Sequence, residues 1–165
     1  MGRETVAGLA KRLARFELRE AAHQTLCRYM DLCDVPRSQF LWEEMAALFT
    51  PDAIWEGIGP EYTGKFGKLA GRDAILSMLA EYLPPSAHFT RNIHLLGNGR
   101  ITADESTATG HWIMQQLSEY EAGATELISA RLTVDFKHAD GETRISHFRT
   151  QKLFTADFIL TAVNA

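Results

Sequence analysis

Cysteine is scarce, with two residues in 165, Cys27 and Cys33. Their separation inside one helical pattern matches no zinc or redox motif. The expectation is a pair of free thiols in a reducing cytoplasm. Long apolar runs are absent. No stretch of about eighteen apolar residues exists, so no membrane span is expected. The opening "MGRETVAGLAKRLARF" has no apolar core of the kind a secretory signal needs, and Val6 stands where N-acylation after Gly2 would want Ser or Thr. Basic excess is missing too. The formal net charge is −4, and the richest basic stretch, "AKRLARFELRE", interleaves its cations with acids and apolar residues. Such a stretch makes a helix surface, and it cannot track a phosphate backbone, so nucleic acid is excluded as a partner. No glycine-rich nucleotide fingerprint is present, because "GKFGKLAG" lacks the spacing and flanking strand of a phosphate loop.

What is present is an ordinary globular balance, 45% hydrophobic and 23% charged, in one expected domain over 1–165 with its core at about 10–155. Leu9, Leu13 and Phe16, then Ala22, Leu26, Tyr29, Met30 and Cys33, recur at helical spacing from about Glu4 to Asp34. Pro36 ends that helix. Ser38 is a fair cap for a short second helix in "QFLWEEMAALF". "AIWEG" is a short strand, residues 57 to 71 a glycine-rich loop, and "GRDAILSMLAEYL" a third helix that "PP" stops. After Pro85 come four strand-like runs, "AHFTRNIHLL", "STATGHWIMQQLSEY", "TELISARLTVDFKH" and "TRISHFRTQKLF". "GNG", "EAGA" and "ADG" between them are hairpin signals. Three helices followed by a long-stranded antiparallel sheet predict an α+β fold, with the helices on one face of a strongly curved, mostly antiparallel sheet.

Chemistry concentrates in two places. With Tyr29 at zero and 100° per residue, Asp34 falls at about 140°, on the margin of the buried stripe, and Asp31 at about 200°, on the water side. Asp34 is therefore the acid that can reach an enclosed space. Along the strand, Ser86, His88, Thr90, Asn92 and His94 share one polar face. His88 could be a packed edge residue, a metal ligand or a base, and His94 alone would be a cross-strand or interface residue. A carboxylate bonded to imidazole makes a competent base near neutral pH. No short acid–histidine spacing of a metallohydrolase helix occurs, so no metal is expected. On the next strand Trp112, Met114 and Gln116 share a face, with His111 opposite. The other faces, His111, Ile113, Leu117, Leu127 and Arg131, leave mixed apolar surface that wants a partner.

"RYMDLCD", "ALFTPDAIWEG", "HFTRN" and "DESTATGHW", in that order, resemble the SnoaL-like branch of the NTF2-like superfamily. That branch includes bile-acid dehydratases, scytalone dehydratases and hexachlorocyclohexane dehydrochlorinases. The resemblance implies a cone of three helices on a curved sheet, with Asp34 and His88 as a catalytic dyad and Tyr29 and Trp55 in the pocket. Gln116 stands where the bile-acid enzymes carry a functional aspartate, so it can hold a carbonyl or hydroxyl but not exchange a proton. Lys152 stands at an arginine position and can face a developing oxyanion. Phe66 or Phe89 would complete the wall with Trp112 and Met114.

No serine or cysteine nucleophile has a clear partner. The expected activity is therefore a cofactor-independent, lyase-type reaction, a dehydration or related elimination. The Asp–His dyad would act as base on a small, mostly apolar, cyclic oxygenated substrate. Isomerisation or a polyketide-cyclase-like closure would use the same base. A non-catalytic assembly subunit is the other use of such a cone. The expected partners are a small molecule and further copies of the chain, as trimer or dimer.

Overall fold

The computed structural model describes residues 5–37, 39, 41–64 and 67–161. Helix α1 spans Val6–Cys33 and opens at Thr5, whose Oγ1 accepts from the Gly8 N–H at 3.1 Å. Its second half carries the buried stripe, including Leu18, Ala22, Leu26, Tyr29, Met30 and Cys33. Its first half stays in water, with Leu9, Leu13 and Phe16 50–59% exposed although they continue the helical spacing. The helix ends where Asp34 turns to extended backbone. Val35 then exchanges two backbone hydrogen bonds with Asn92, at 2.8 and 2.9 Å.

Helix α2 is short, Trp42–Ala47, and is entered at Leu41 without a side-chain cap. Ser38, the expected cap, lies outside the described residues, as does Phe66 of the expected pocket wall. Strand β1 (Phe49–Gly57), strand β2 (Lys68–Ala70) and helix α3 (Arg72–Ala80) follow. The stretch expected to be loop thus contains β2 and a 3₁₀ turn, Pro60–Tyr62. Four long strands complete the fold: β3 Phe89–Ala103, β4 Thr107–Tyr120, β5 Thr125–Ala139 and β6 Glu142–Ala156. One six-stranded sheet results, in the order β2-β1-β6-β5-β4-β3. Only β1 and β6 run parallel; every other neighbouring pair is antiparallel.

Two of the three hairpin signals are turns. Asp140 and Gly141, both at positive φ (55° and 77°), join β5 to β6 as a two-residue connection whose twist matches the strands. Residues 121–124 join β4 to β5. "GNG" is not a turn. Strand β3 runs through it, with a register shift between Gly97 and Arg100 and Asn98 at φ 49°. An extra residue bulges there and the pairing resumes. The β3–β4 turn comes later, at 104–106, closed by the Asp104 N–H on the Thr107 carbonyl at 2.8 Å.

The inner face of the sheet is set by period two. Trp112 and Met114 of β4, Ala130, Leu132, Val134 and Phe136 of β5, and Phe148 of β6 all point toward the helices and are buried. At the centre the Tyr29 ring meets Phe49 and Phe148 edge-on at 5.4 and 5.2 Å, and Trp55 stacks on Phe148 at 5.7 Å. Such aromatic pairs add roughly 0.5–1.5 kcal/mol each beyond area burial.

Candidate active site

The end of α1 and the middle of β3 meet through the Val35–Asn92 bridge, and that bridge aims Asp34 at the sheet. Oδ1 of Asp34 accepts the backbone N–H of His94 at 2.9 Å and lies 2.8 Å from His94 Nδ1. A carboxylate only accepts, so Nδ1 carries a proton, and in the neutral ring Nε2 holds the lone pair. The His94 side chain is 9% exposed and that of Asp34 32%. Asp31, on the water side of the helix, is taken up by Arg28 and Arg37.

The expected imidazole partner of Asp34 is His88; the ring that the structure sets against the Asp34 carboxylate is that of His94. His88 lies one residue before β3, and its ring meets Tyr82, Phe89 and Tyr120 edge-on at 4.9, 4.5 and 5.3 Å. The physical reason is a register shift between Phe89 and Arg91. It breaks the alternation that put His88 on one face with Asn92 and His94, so counting back from His94 no longer fixes the side on which His88 lies.

Below His94 is a polar network that the sequence reading did not assemble. Asn92, 1% exposed, donates Nδ2 to the Cys33 carbonyl at 3.1 Å. Its Oδ1 accepts from Gln116 Nε2 at 2.9 Å and from Ser118 Oγ at 2.8 Å. Gln116 Nε2 also reaches Ser118 Oγ at 3.1 Å. His94 and Gln116 are direct partners on β3 and β4, as are Asn92 and Ser118. The signal that could have found this network was the shared face of Asn92 and His94; the register with β4 supplies the rest.

The other expected residues divide. Tyr29, Trp55, Trp112 and Met114 are all buried, 3–8% exposed, and belong to the packed core. Burial holds the Tyr29 phenol well above its usual range, so it stays protonated. Burial, and then the Asp34 charge, push the Cys33 thiol up to about 12, which removes it as a nucleophile at neutral pH. Gln116 and Lys152 are half-buried. Lys152 pairs in register with Ala130, which pairs with Met114, so it extends the inner row across the sheet. Phe89 sits with His88 and Tyr120 at the far end of the sheet. An open groove of about 370 Å³ lies between the first half of α1 (Phe16, Arg19, His23) and the sheet (Leu96, Ile101, Trp112). Leu96 is two residues beyond His94, roughly 7 Å along the strand. Among the described residues, Trp112 is thus the only expected pocket residue that borders this groove.

Residues 14–149 match the family model of the SnoaL-like domain. The chain belongs to the SnoaL-like family. A comparison with curated protein sequences finds no match. Among solved structures, this SnoaL-like chain resembles the hexachlorocyclohexane dehydrochlorinase LinA-type3 of Novosphingobium barchaimii, with TM-score 0.74 at 18% identity over 93% of this chain and 99% of that one. A Novosphingobium aromaticivorans protein assigned to the scytalone dehydratases superposes with TM-score 0.70 at 20% identity over 88% and 90% of the two chains. An NTF2-like protein with a cystatin-like fold, also from Novosphingobium aromaticivorans, gives 0.72 at 20% over 92% of each. At these identities the likeness establishes the NTF2-like, cystatin-like α+β fold of the SnoaL-like chain. Among its described residues no group of three or more His, Cys, Asp or Glu is placed to hold a metal ion, and no helix is long and apolar enough to cross a membrane.

Proposed function

We propose that this SnoaL-like protein is a cofactor-independent lyase-type enzyme. It would remove water, or a comparable leaving group, from a small, mostly apolar, cyclic oxygenated substrate. The observation that carries the reading is the 2.8 Å contact between Asp34 Oδ1 and His94 Nδ1. It leaves Nε2 as the free base nitrogen and steadies the imidazolium once a proton is taken. Lys152 has no ion-pair partner among the described residues, and in this reading it faces the oxygen on which charge develops. Isomerisation begins with the same proton abstraction, so the same base would serve it. The test is to incubate the protein with cyclic β-hydroxy ketones in D₂O and follow both dehydration and solvent deuterium entry at the carbon next to the carbonyl. Catalysed exchange or elimination is expected. Neither, across steroid, decalone and tetralone frameworks, would reduce the cone to a binding or assembly module.

The chain is further proposed to act as a homo-oligomer in the cytoplasm, with Cys27 and Cys33 as free thiols. The outer face of the sheet supports the assembly. Ile93, Leu117 and Leu127 align in register across β3, β4 and β5, and Ile93, Leu95 and Phe154 are 49–55% exposed. Such a row on a sheet covered on one side invites a second copy. Sedimentation at micromolar concentration should give a dimer or trimer. A single species of 18.5 kDa would reject it.

A further inference from the structure

We infer that the open groove between α1 and the edge of the sheet is a second binding site, and that it takes a flat, largely apolar molecule ending in a carboxylate. The site is separate from the Asp34–His94 pair and stands whether or not that pair is catalytic.

"GNG", which does not turn the chain, shapes one wall of this groove. β3 is an edge strand, and its bulge lies between Gly97 and Arg100. Gly97 pairs with Ile113 and Arg100 with His111, so Trp112 sits across from the extra residues. A Cβ at Gly99 would stand 2.3 Å from Trp112 Nε1, and one at Gly110 2.0 Å from Cη2. The indole therefore lies across both strands, with its benzene end over β4 and its N–H end over β3. The N–H end is the one nearer the open edge of the sheet. Glycine at position 99 leaves room for it there, because a side chain would take the same place.

An indole nitrogen only donates. Trp112 Nε1 has no hydrogen-bond partner among the described residues, in a residue 3% exposed. A buried donor without a partner costs free energy that an acceptor would recover. Nε1 is not one of the polar atoms sealed from solvent. Trp112 and Gly99 both line the groove, so the groove is where an acceptor can approach. Arg19 lines it from the α1 side. Its guanidinium carbon lies 5.7 Å from the centroid of the Phe16 ring, and it has no carboxylate partner among the described residues. The groove so offers two unmet donors, one of them charged, beside apolar surface from Phe16, Leu96 and Ile101. Glu20 is the acid on this wall. Gln24 donates to its Oε1 at 2.8 Å and holds it along the helix, about 100° round from Arg19. A carboxylate answers both donors, an alcohol brings no charge to Arg19, and a cation would be repelled by it. The volume, about 370 Å³, falls at the lower end of the range for small-molecule pockets.

The test titrates the full chain with 2-naphthoate and with 2-naphthalenemethanol, its uncharged counterpart. In nitrogen-edited NMR, the indole N–H signals of Trp42, Trp55 and Trp112 are told apart with Trp112→Phe. Naphthoate should move the Trp112 N–H signal downfield, as a new hydrogen bond does, and leave that of Trp55 in place. In titration calorimetry naphthoate should bind roughly 10-fold more tightly than the alcohol. Arg19→Gln should cost naphthoate roughly 3- to 10-fold and the alcohol little. Trp112→Phe keeps an aromatic ring without the N–H and should cost naphthoate roughly 10-fold. Glu20→Gln should tighten naphthoate by about 2-fold, since a like charge leaves the wall. Arg19 is exposed on α1, so its variant carries the test even where Trp112→Phe does not fold. No binding of naphthoate, equal affinity for the two probes, a Trp112 signal that stays put at saturation, or an Arg19→Gln protein with wild-type affinity would each overturn the inference. His94→Ala should bind naphthoate as the wild type does. Loss of binding there would put the ligand at the Asp34–His94 pair and reject a second site, whereas wild-type binding with unchanged turnover would sink the catalytic reading alone.

Discussion

His94→Ala lowers turnover by roughly 10²–10⁴, while His88→Ala leaves it within a few-fold, with the two variants compared on whichever cyclic hydroxy ketone the enzyme turns over. The contrast follows from where the two rings sit. His94 has a carboxylate on Nδ1 and, among the described residues, no hydrogen-bond partner on Nε2. His88 has three aromatic neighbours and precedes the strand. Removing His88 loosens an aromatic cluster; removing His94 deletes the base. Asp34→Asn is expected to cost less, about 10-fold in kcat. Oδ1 is pinned by the His94 backbone N–H at 2.9 Å, so the amide keeps an oxygen against Nδ1 and the tautomer survives. What is lost is the charge, the difference between a charge-assisted and a neutral hydrogen bond, on the order of 1–2 kcal/mol. Asp31→Asn should change nothing, because its partners are Arg28 and Arg37 on the water side. Equal losses from His88→Ala and His94→Ala would refute the assignment. Loss from His88→Ala alone would move the base to the position that the family resemblance implied.

Much of this arrangement could be read along the chain, and the part that could not has a local cause. The order of helices before strands follows from composition and turn residues. Asp34 separates from Asp31 by angle alone, because α1 is regular to its last residue. The polar inward face of β3 was legible at Asn92 and His94. Extending that count back to His88 failed because period two holds only while the ladder is unbroken, and the register shifts between Phe89 and Arg91. "GNG" misled in the same way. A bulge and a turn use the same residues, and only the partner strand tells them apart. Tyr29 and Trp55 show another limit. An aromatic residue on an inward face fits a pocket wall and a packed core equally well, and here the Phe49 and Phe148 rings close on Tyr29 and the Phe148 ring stacks on Trp55. The Asn92–Gln116–Ser118 network needed the β3–β4 register, which is a tertiary fact.

The inner face of the sheet yields the largest stability effect. Trp112, 3% exposed, lies flat across its own sheet between two glycines. A Cβ at Gly110 would stand 2.0 Å from the Trp112 Cη2, and one at Gly99 would stand 2.3 Å from Nε1. No side chain fits at either position while the indole keeps this pose. Gly110→Ala should therefore destabilise by about 1–3 kcal/mol, the usual cost of forcing a packed ring off its place. Trp112→Ala should cost about 3–5 kcal/mol through lost burial and the cavity left over Phe136. The decisive result is the double variant. If the cost of Gly110→Ala is contact with the indole, that cost vanishes once Trp112 is alanine, and the added methyl fills part of the cavity. Denaturant unfolding should then show the pair less destabilised than the sum of the singles by about 1–3 kcal/mol. Additive losses would mean that Gly110 acts through its backbone and that the flat indole does not depend on it. The same displacement should reach the groove between α1 and the sheet, because Trp112 forms part of its wall together with Leu96 and Ile101. Gly110→Ala should accordingly shift Trp112 fluorescence in the folded protein, a change that a purely local strand defect would not produce.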